Sequence, residues 1–441
     1  MNTPICDFAK QYANQHSLRL HMPAHKGESL IGAEPLDITE IAGADSLYQA
    51  SGIIAESESN ASTLFGCPTF YSTEGSSQCI RGMLHLACLQ AKEQGKSPRI
   101  AAGRNAHSVF LSAAALLDFE VQWLYGEDEA YLSCKITPEG LEEVLKDPSV
   151  TAVYLTSPDY LGNRCDIAAL SRVCRRHGVL LLVDNAHGAY LKFLSPSQHP
   201  MDLGADLCCA SAHKTLPVLT GGAYLHVAKH HKTLINQAKS ALELFGSTSP
   251  SYLILQSLDR ANALCEKEFP KALQQAKNTV DALRSRLQAQ GFCLIGDEPL
   301  KLTLAPKDYG YTGTQVADLL KKRNAVCEFA DEDFVVMMLS PSQTAAACTA
   351  LQTALSGLPK KEPLQACPPK ASPHLQARSI RDAALGPREE IPVEQSAGRI
   401  LAVPSIACPP AVPILVCGEQ ITPSDLPLFH YYGIDRVWVC R

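Results

Sequence analysis

Four short apolar runs, separated by stretches with helical spacing, occupy residues 98–226 and constrain the fold more than any other feature of the chain. They are "RIAAG" (99–103), "AVYLT" (152–156), "VLLLVD" (179–184) and "DLCCAS" (206–211), and their apolar residues are consecutive instead of alternating. A strand with one wet face alternates; a strand covered on both faces does not. The segments between the runs supply the cover. Thr137 followed by Pro138 has the form of a helix start, a hydroxyl cap with proline in the first turn. In "DIAALSRVCRRHG" (166–178), Asp166 is placed to cap, Ile167, Leu170, Val173 and Cys174 share one face, and Gly178 can end the helix. Strands alternating with covering helices predict an α/β fold with a mainly parallel sheet.

The pattern changes after Gly246. A helical stretch over 253–290 precedes strand-like "GFCLIG", "LKLTLAP" and "FVVMML", with helices expected over 314–322 and 342–355. This predicts a second, smaller α/β unit. The proline-rich "PKKEPLQACPPKASP" reads as a linker. The expected organisation is therefore an N-terminal segment (1–60), a large sheet domain (61–250), a small α/β domain (251–358), a linker (359–373) and a C-terminal domain (374–441).

Composition removes several functional classes. A formal net charge of -6 offers no field to attract nucleic acid or an anionic membrane. No apolar run has the length of a signal peptide or a bilayer span. The 17 cysteines are scattered without a C-x-x-C pair, so neither a zinc site nor a disulfide framework is expected, and no metal is assigned. A cytoplasmic, reducing setting follows, with most thiols acting as small hydrophobes.

In open α/β sheets ligands bind beyond the carboxyl ends of the strands. Arg104, Asn105 and His107 follow the first run, and Ser157 to Tyr160 the second. The third ends in Asp184, with His187 three residues on; the fourth is followed by His213 and Lys214. Upstream, Gly75, Ser76 and Ser77 open a helix whose N–H groups and hydroxyls suit a phosphate. A lysine able to form a Schiff base, an aspartate able to keep a pyridine nitrogen protonated, and a phosphate-binding turn together describe a pyridoxal 5'-phosphate (PLP) site. Taken singly, each residue has an ordinary explanation as a surface lysine, a turn cap or a structural histidine. Their occurrence together, in this order, does not.

At these residues the chain resembles the ornithine/lysine/arginine decarboxylases in their short form, a branch of the aspartate-aminotransferase-like (fold type I) PLP enzymes. The resemblance rests on "LRLHMPAHKG", "DITEIAGADSL", "STEGSSQCIRGM", "GRNAHSVF", "VDNAHGAY", "SAHKTLPVLTGGAYL", "STSPSYLILQSLD" and "GRILAVPSIACPPAVPILVCGEQIT". It implies that Lys214 carries the Schiff base, Asp184 pairs with the pyridine nitrogen and His107 stacks on the ring. Ser76, Ser211 and His213, with Gly75 and Ser77, would hold the phosphate, and His187 would lie near the reacting bond. The implied activity is decarboxylation of lysine, arginine or ornithine, by a homodimer or larger homo-oligomer. Ala24, Asn185, Ala411 and Cys417 depart from the family pattern. Asp45, Glu328, Asp331 and Glu419 are candidates for reading the substrate's distal cation. Two alternatives stay open. One is another fold-type-I reaction, either desulfuration with Cys327 as its cysteine or transamination with Arg323 or Arg378 holding a carboxylate. The other is a PLP-binding protein without activity.

Overall fold

The computed structural model describes residues 1–126, 132–366, 373–403 and 412–441. Part of the proline-rich linker (367–372), and Ala411 with the residues before it (404–410), lie outside the described residues. The main sheet has seven strands: β1 (Thr69–Ser72), β2 (Arg99–Gly103), β3 (Glu120–Leu124), β4 (Ala152–Thr156), β5 (Leu180–Asp184), β6 (Leu207–Ala210) and β7 (Ala223–Val227), in the order β1-β7-β6-β5-β4-β2-β3. β5 and β6 run parallel, as do β2 and β3, whereas β7 runs antiparallel to both β6 and β1. All four expected strands form, and β5, β6 and β7 are buried along their whole length, which is why their apolar residues run consecutively. β3 escaped the sequence reading because "EVQWL" is exposed at Glu120 and only half-buried through Val121–Trp123, as suits an edge strand.

The described chain forms two compact units. The first comprises Met1–Pro98, Asp147–Leu155 and Ile167–Pro270. In it the helix Gly75–Glu93 buries Cys79, Ile80, Met83, Leu84 and Ala87. The helix Ile167–His177 buries Ile167, Leu170, Val173 and Cys174, the face expected from spacing, and Gly178 ends it at φ +67. Thr137 caps Pro138–Val144 through Gly140 N–H, as expected, in the second unit. The predicted helical stretch over 253–290 is two helices, Tyr252–Lys267 and Phe269–Ala289. Pro270 explains the break: it lacks an N–H and is tolerated in a helix only in the first turn.

The second unit comprises Arg99–Lys146, Thr156–Asp166 and Lys271–Arg441. Its four-stranded antiparallel sheet takes β8 (Cys293–Ile295), β9 (Lys301–Ala305), β10 (Phe329–Ala330) and β11 (Val335–Met338) in the order β10-β11-β9-β8. The helices Gly313–Lys321 and Thr344–Ser356 form where periodicity places them. A two-stranded ribbon, β12 (Arg388–Pro392) with β13 (Arg436–Cys440), packs through Val437 and Val439 into an apolar cluster that includes Phe329, Leu401, Ile414 and Phe429. Among the described residues no helix is long and apolar enough to cross a membrane.

The first unit buries two histidines completely. His199 and His226 meet edge to face at 5.1 Å against Phe65. Burial, then Lys192, pushes His199 down to about 3; burial, then His199 itself, holds His226 well below the usual imidazole range. Both stay neutral in the folded chain while the unfolded chain protonates them near pH 6.5, so acid favours unfolding. The expected loss is about 1.4 kcal/mol per histidine, roughly 3 kcal/mol together, between pH 7.5 and 5.5. Urea midpoints across that window read it directly. A His199→Gln/His226→Gln chain should lose most of the slope, and an unchanged slope would refute the assignment.

Candidate active site

In the first unit, the loops following β5 and β6 meet the start of the helix Gly75–Glu93. β6 ends at Ala210, Ser211 stands at the cap position, and Ala212–Thr215 makes a single helical turn carrying His213 and Lys214. β7 returns antiparallel and brings Gly221 and Gly222 back onto that turn. The Gly222 carbonyl accepts from His213 N–H (3.1 Å) and from His213 Nδ1 (3.0 Å), which puts the ring proton on Nδ1. Gly75 N–H donates to the Gly221 carbonyl at 2.7 Å, tying the Gly-Ser-Ser turn to the lysine loop. Both glycines are required. Gly75 (φ +71) and Gly221 (φ +100) are left-handed, and a Cβ at 221 would stand 2.7 Å from the Thr73 carbonyl oxygen. A Cβ at 75 would fill the space 3.9 Å from His213 Cε1, so the turn is a cradle that a side chain would occupy. Ser76 and Ser77 are half-buried in the first turn of the helix. Ser211 Oγ is fully buried and has no hydrogen-bond partner among the described residues, a costly state for a hydroxyl unless a ligand completes it.

Asp184 ends β5 at 2% exposure. Its Oδ2 accepts from the Tyr154 hydroxyl (2.9 Å), and its Oδ1 from Ala186 N–H (3.1 Å) and the Cys209 thiol (3.4 Å). Burial, then Asp184 itself, pushes the phenol and the thiol far above their usual ranges, so both are neutral donors. They orient the carboxylate without supplying a countercharge. Lys214, exposed in this chain, places Nζ 3.1 Å from Nε2 of the buried His187. Burial lowers the His213 pKa; the Gly222 bond works against that shift and Lys214 with it. The Asn185 amide, beside Asp184, is buried, and neither of its polar atoms has a partner among the described residues.

Gly75, His213, Ser211, Lys214, His187 and Asp184 thus share one set of loops in the first unit, with Ser76 and Ser77 on the adjoining helix turn. His107 belongs to the second unit, where it caps Ser108–Leu117 by accepting from Val109 N–H on Nδ1 (3.2 Å). Tyr154 was missed; a tyrosine inside an apolar strand needs a partner for its hydroxyl, and that was the available signal.

Structural tasks account for three of the four substrate-reading carboxylates. Asp45 accepts from five backbone N–H groups, of Ser46, Ser51, Gly52, Ile54 and Ala55; burial raises its pKa, but these bonds hold it below the usual carboxylate range. Asp331 Oδ1 closes a turn with Asp333 and Phe334 N–H, and burial pushes the group up to about 6. Glu419 is buried against Arg104 at 3.1 Å. Glu328 is exposed and accepts a long bond from the Tyr160 hydroxyl (3.4 Å). Cys327 lies two residues before β10, in the approach to a strand that begins at Phe329, and burial pushes its thiol up to about 11, unlike an activated nucleophile.

Comparison with known proteins finds relatives over nearly the whole chain. Family models described as "Orn/Lys/Arg decarboxylase, major domain" and "C-terminal domain" match residues 3–297 and 366–438. Two Bacillus subtilis (strain 168) proteins are similar over nearly the whole chain. An arginine decarboxylase is 27% identical, covering 96% of this chain and 92% of its own length; the uncharacterized protein YaaO is 28% identical, covering 97% and 93%. The lysine decarboxylase LdcF of Francisella novicida superposes with a TM-score of 0.81 at 16% identity, covering all of this chain and 81% of LdcF.

Proposed function

Because the chain belongs to the Orn/Lys/Arg decarboxylase family and is an amino acid decarboxylase, we propose that it uses PLP to remove the α-carboxylate of a basic amino acid, arginine, lysine or ornithine, giving the amine and CO2. The supporting observation is the joint placement of Lys214 against His187, Asp184 held by neutral donors, and the orphan Ser211 hydroxyl beside the glycine cradle. These residues fit the cofactor. The Gly75–Ser77 turn, Ser211 and His213 suit its phosphate, and Asp184 supplies the negative charge a protonated pyridine nitrogen requires. When bound, PLP supplies the electron sink for the carbanion left by CO2. The chain's own groups do the rest. His187 Nε2 stands where it can take a proton from Lys214 Nζ, which frees the amine as a nucleophile, and can return it to that same nitrogen later. His107, with Nδ1 committed to Val109 N–H, presents a ring in fixed orientation, suited to stacking on a flat heterocycle. We also propose a cytoplasmic homodimer or larger homo-oligomer whose products enter polyamine synthesis.

The test is a panel. Purified protein with PLP is given arginine, lysine and ornithine separately, and CO2, amine and keto acid are measured. Amine and CO2 in equal amounts from one substrate is the expected result. Keto acid in place of CO2 would establish transamination. No turnover, together with no visible absorption band that borohydride removes, would leave a non-catalytic protein.

A further inference from the structure

A second cluster of reactive side chains lies at the end of β6 opposite the lysine loop. Asp206 immediately precedes β6, and His230 and His231 follow β7; because Leu207 pairs with Val227, the two segments are neighbours. Ala228 N–H donates to the Asp206 carbonyl (2.8 Å), fixing the turn. Asp206 Oδ2 accepts from Leu181 N–H (2.8 Å), which orients the carboxylate and turns Oδ1 towards both imidazoles: 2.8 Å to His231 Nε2 and 3.4 Å to His230 Nε2. All three ligand atoms lie within 4.8 Å of one another.

We propose that Asp206, His230 and His231 form a binding site for a divalent transition-metal ion such as Ni2+ or Zn2+, separate from the decarboxylation centre. A metal with bonds of about 2.1 Å needs ligand atoms roughly 3.0–3.4 Å apart for octahedral or tetrahedral geometry. The two Asp206 to histidine separations already approach that edge length, so a small rotation of the exposed His230 ring closes the set. One carboxylate and two imidazoles are a donor set suited to first-row ions. The Leu181 N–H bond supplies the outer support that ligating carboxylates need. A cavity of about 560 Å3, lined also by Ser171, Arg175 and Gly204, leaves room for water to complete the coordination. Arg175 opposes a cation and the Asp206 charge offsets it, so the carboxylate is as necessary as the imidazoles. The alternative is an ordinary surface cluster in which Asp206 accepts a hydrogen bond from His231 and nothing else binds.

Binding is tested by calorimetric titration of the untagged holoenzyme with NiCl2, with the melting temperature followed in parallel. One Ni2+ per chain is expected, with a Tm rise of about 3 °C or more at saturating metal. His230→Ala, whose side chain is 66% exposed, should fold normally and weaken binding at least about 10-fold. His230→Ala/His231→Ala should abolish it. Cys293→Ser removes an exposed thiol and should change nothing. The proposal is overturned if the wild-type chain binds no Ni2+ at 1 mM, a concentration of about the weakest useful affinity. It is equally overturned if the double variant binds as the wild type does, or if Cys293→Ser alone removes binding. Because the readout is metal binding, failure here leaves the decarboxylase reading untouched.

Discussion

Lys214→Ala should leave the fold standing and lower amine release by at least about 1,000-fold. The two halves of this expectation have separate causes. The Lys214 side chain is exposed, and surface substitutions usually change stability by no more than about 0.5 kcal/mol. A positioned proton carrier alone contributes roughly 100- to 10,000-fold, and Lys214 is proposed to act as the covalent anchor as well. Lys214→Arg should not rescue: a guanidinium cannot give up its proton at neutral pH. His187→Gln keeps the lysine but removes its proton acceptor, and should cost about 100-fold. Amine release at saturating substrate and PLP, measured with the melting temperature of each variant, separates chemistry from folding. Borohydride should fix PLP covalently to the wild-type chain and not to Lys214→Ala. Normal turnover by Lys214→Ala would sink the proposed mechanism outright.

Legibility in the sequence followed the range of the interactions involved. β5 and β6 could be read because burial on both faces writes itself into consecutive apolar residues, and Asp184 and Lys214 because they interrupt such runs at the sheet's open edge. The Gly-Ser-Ser turn was legible through local helix-start chemistry. The Tyr154 to Asp184 bond was not, since it joins positions 30 residues apart on neighbouring strands, and lateral strand order leaves no mark on either segment. The orphan Ser211 hydroxyl is likewise a property of its surroundings. The 253–290 stretch shows the reverse: Pro270 was a local signal that outweighed the surrounding helical periodicity. Charge was the least legible property. Asp45, Asp331 and Glu419 read as solvated carboxylates or substrate readers, yet the structure gives each a structural role, because a carboxylate's task depends on which donors the fold brings to it.

Glu419 yields the largest expected loss of stability. Its side chain is 1% exposed and that of Arg104 9%. Glu419 Oε2 accepts from Arg104 at 3.1 Å and from Val416 N–H at 2.7 Å, while the guanidinium also donates to the Pro413 and Ile414 carbonyls and sits over the Trp123 ring at 5.2 Å. Both charges were taken out of water to make this pair, so removing one strands the other. Glu419→Gln preserves size and one acceptor oxygen but leaves the Arg104 charge without its counterion, at about 3–5 kcal/mol. For a unit of this size that is a fall of about 10 °C in melting temperature. Arg104→Met should cost a similar amount for the converse reason. Arg104→Met with Glu419→Met should cost less than the two single changes summed, because no unpaired charge remains. The same variants test the rival role: if Glu419 reads the substrate's distal cation, Glu419→Gln should raise KM at least 10-fold at an unchanged melting temperature. The hydrogen bonds predict the opposite split, with stability lost and KM for arginine, lysine and ornithine held, because the Glu419 charge is already matched by Arg104 and its Oε2 is engaged by Arg104 and Val416.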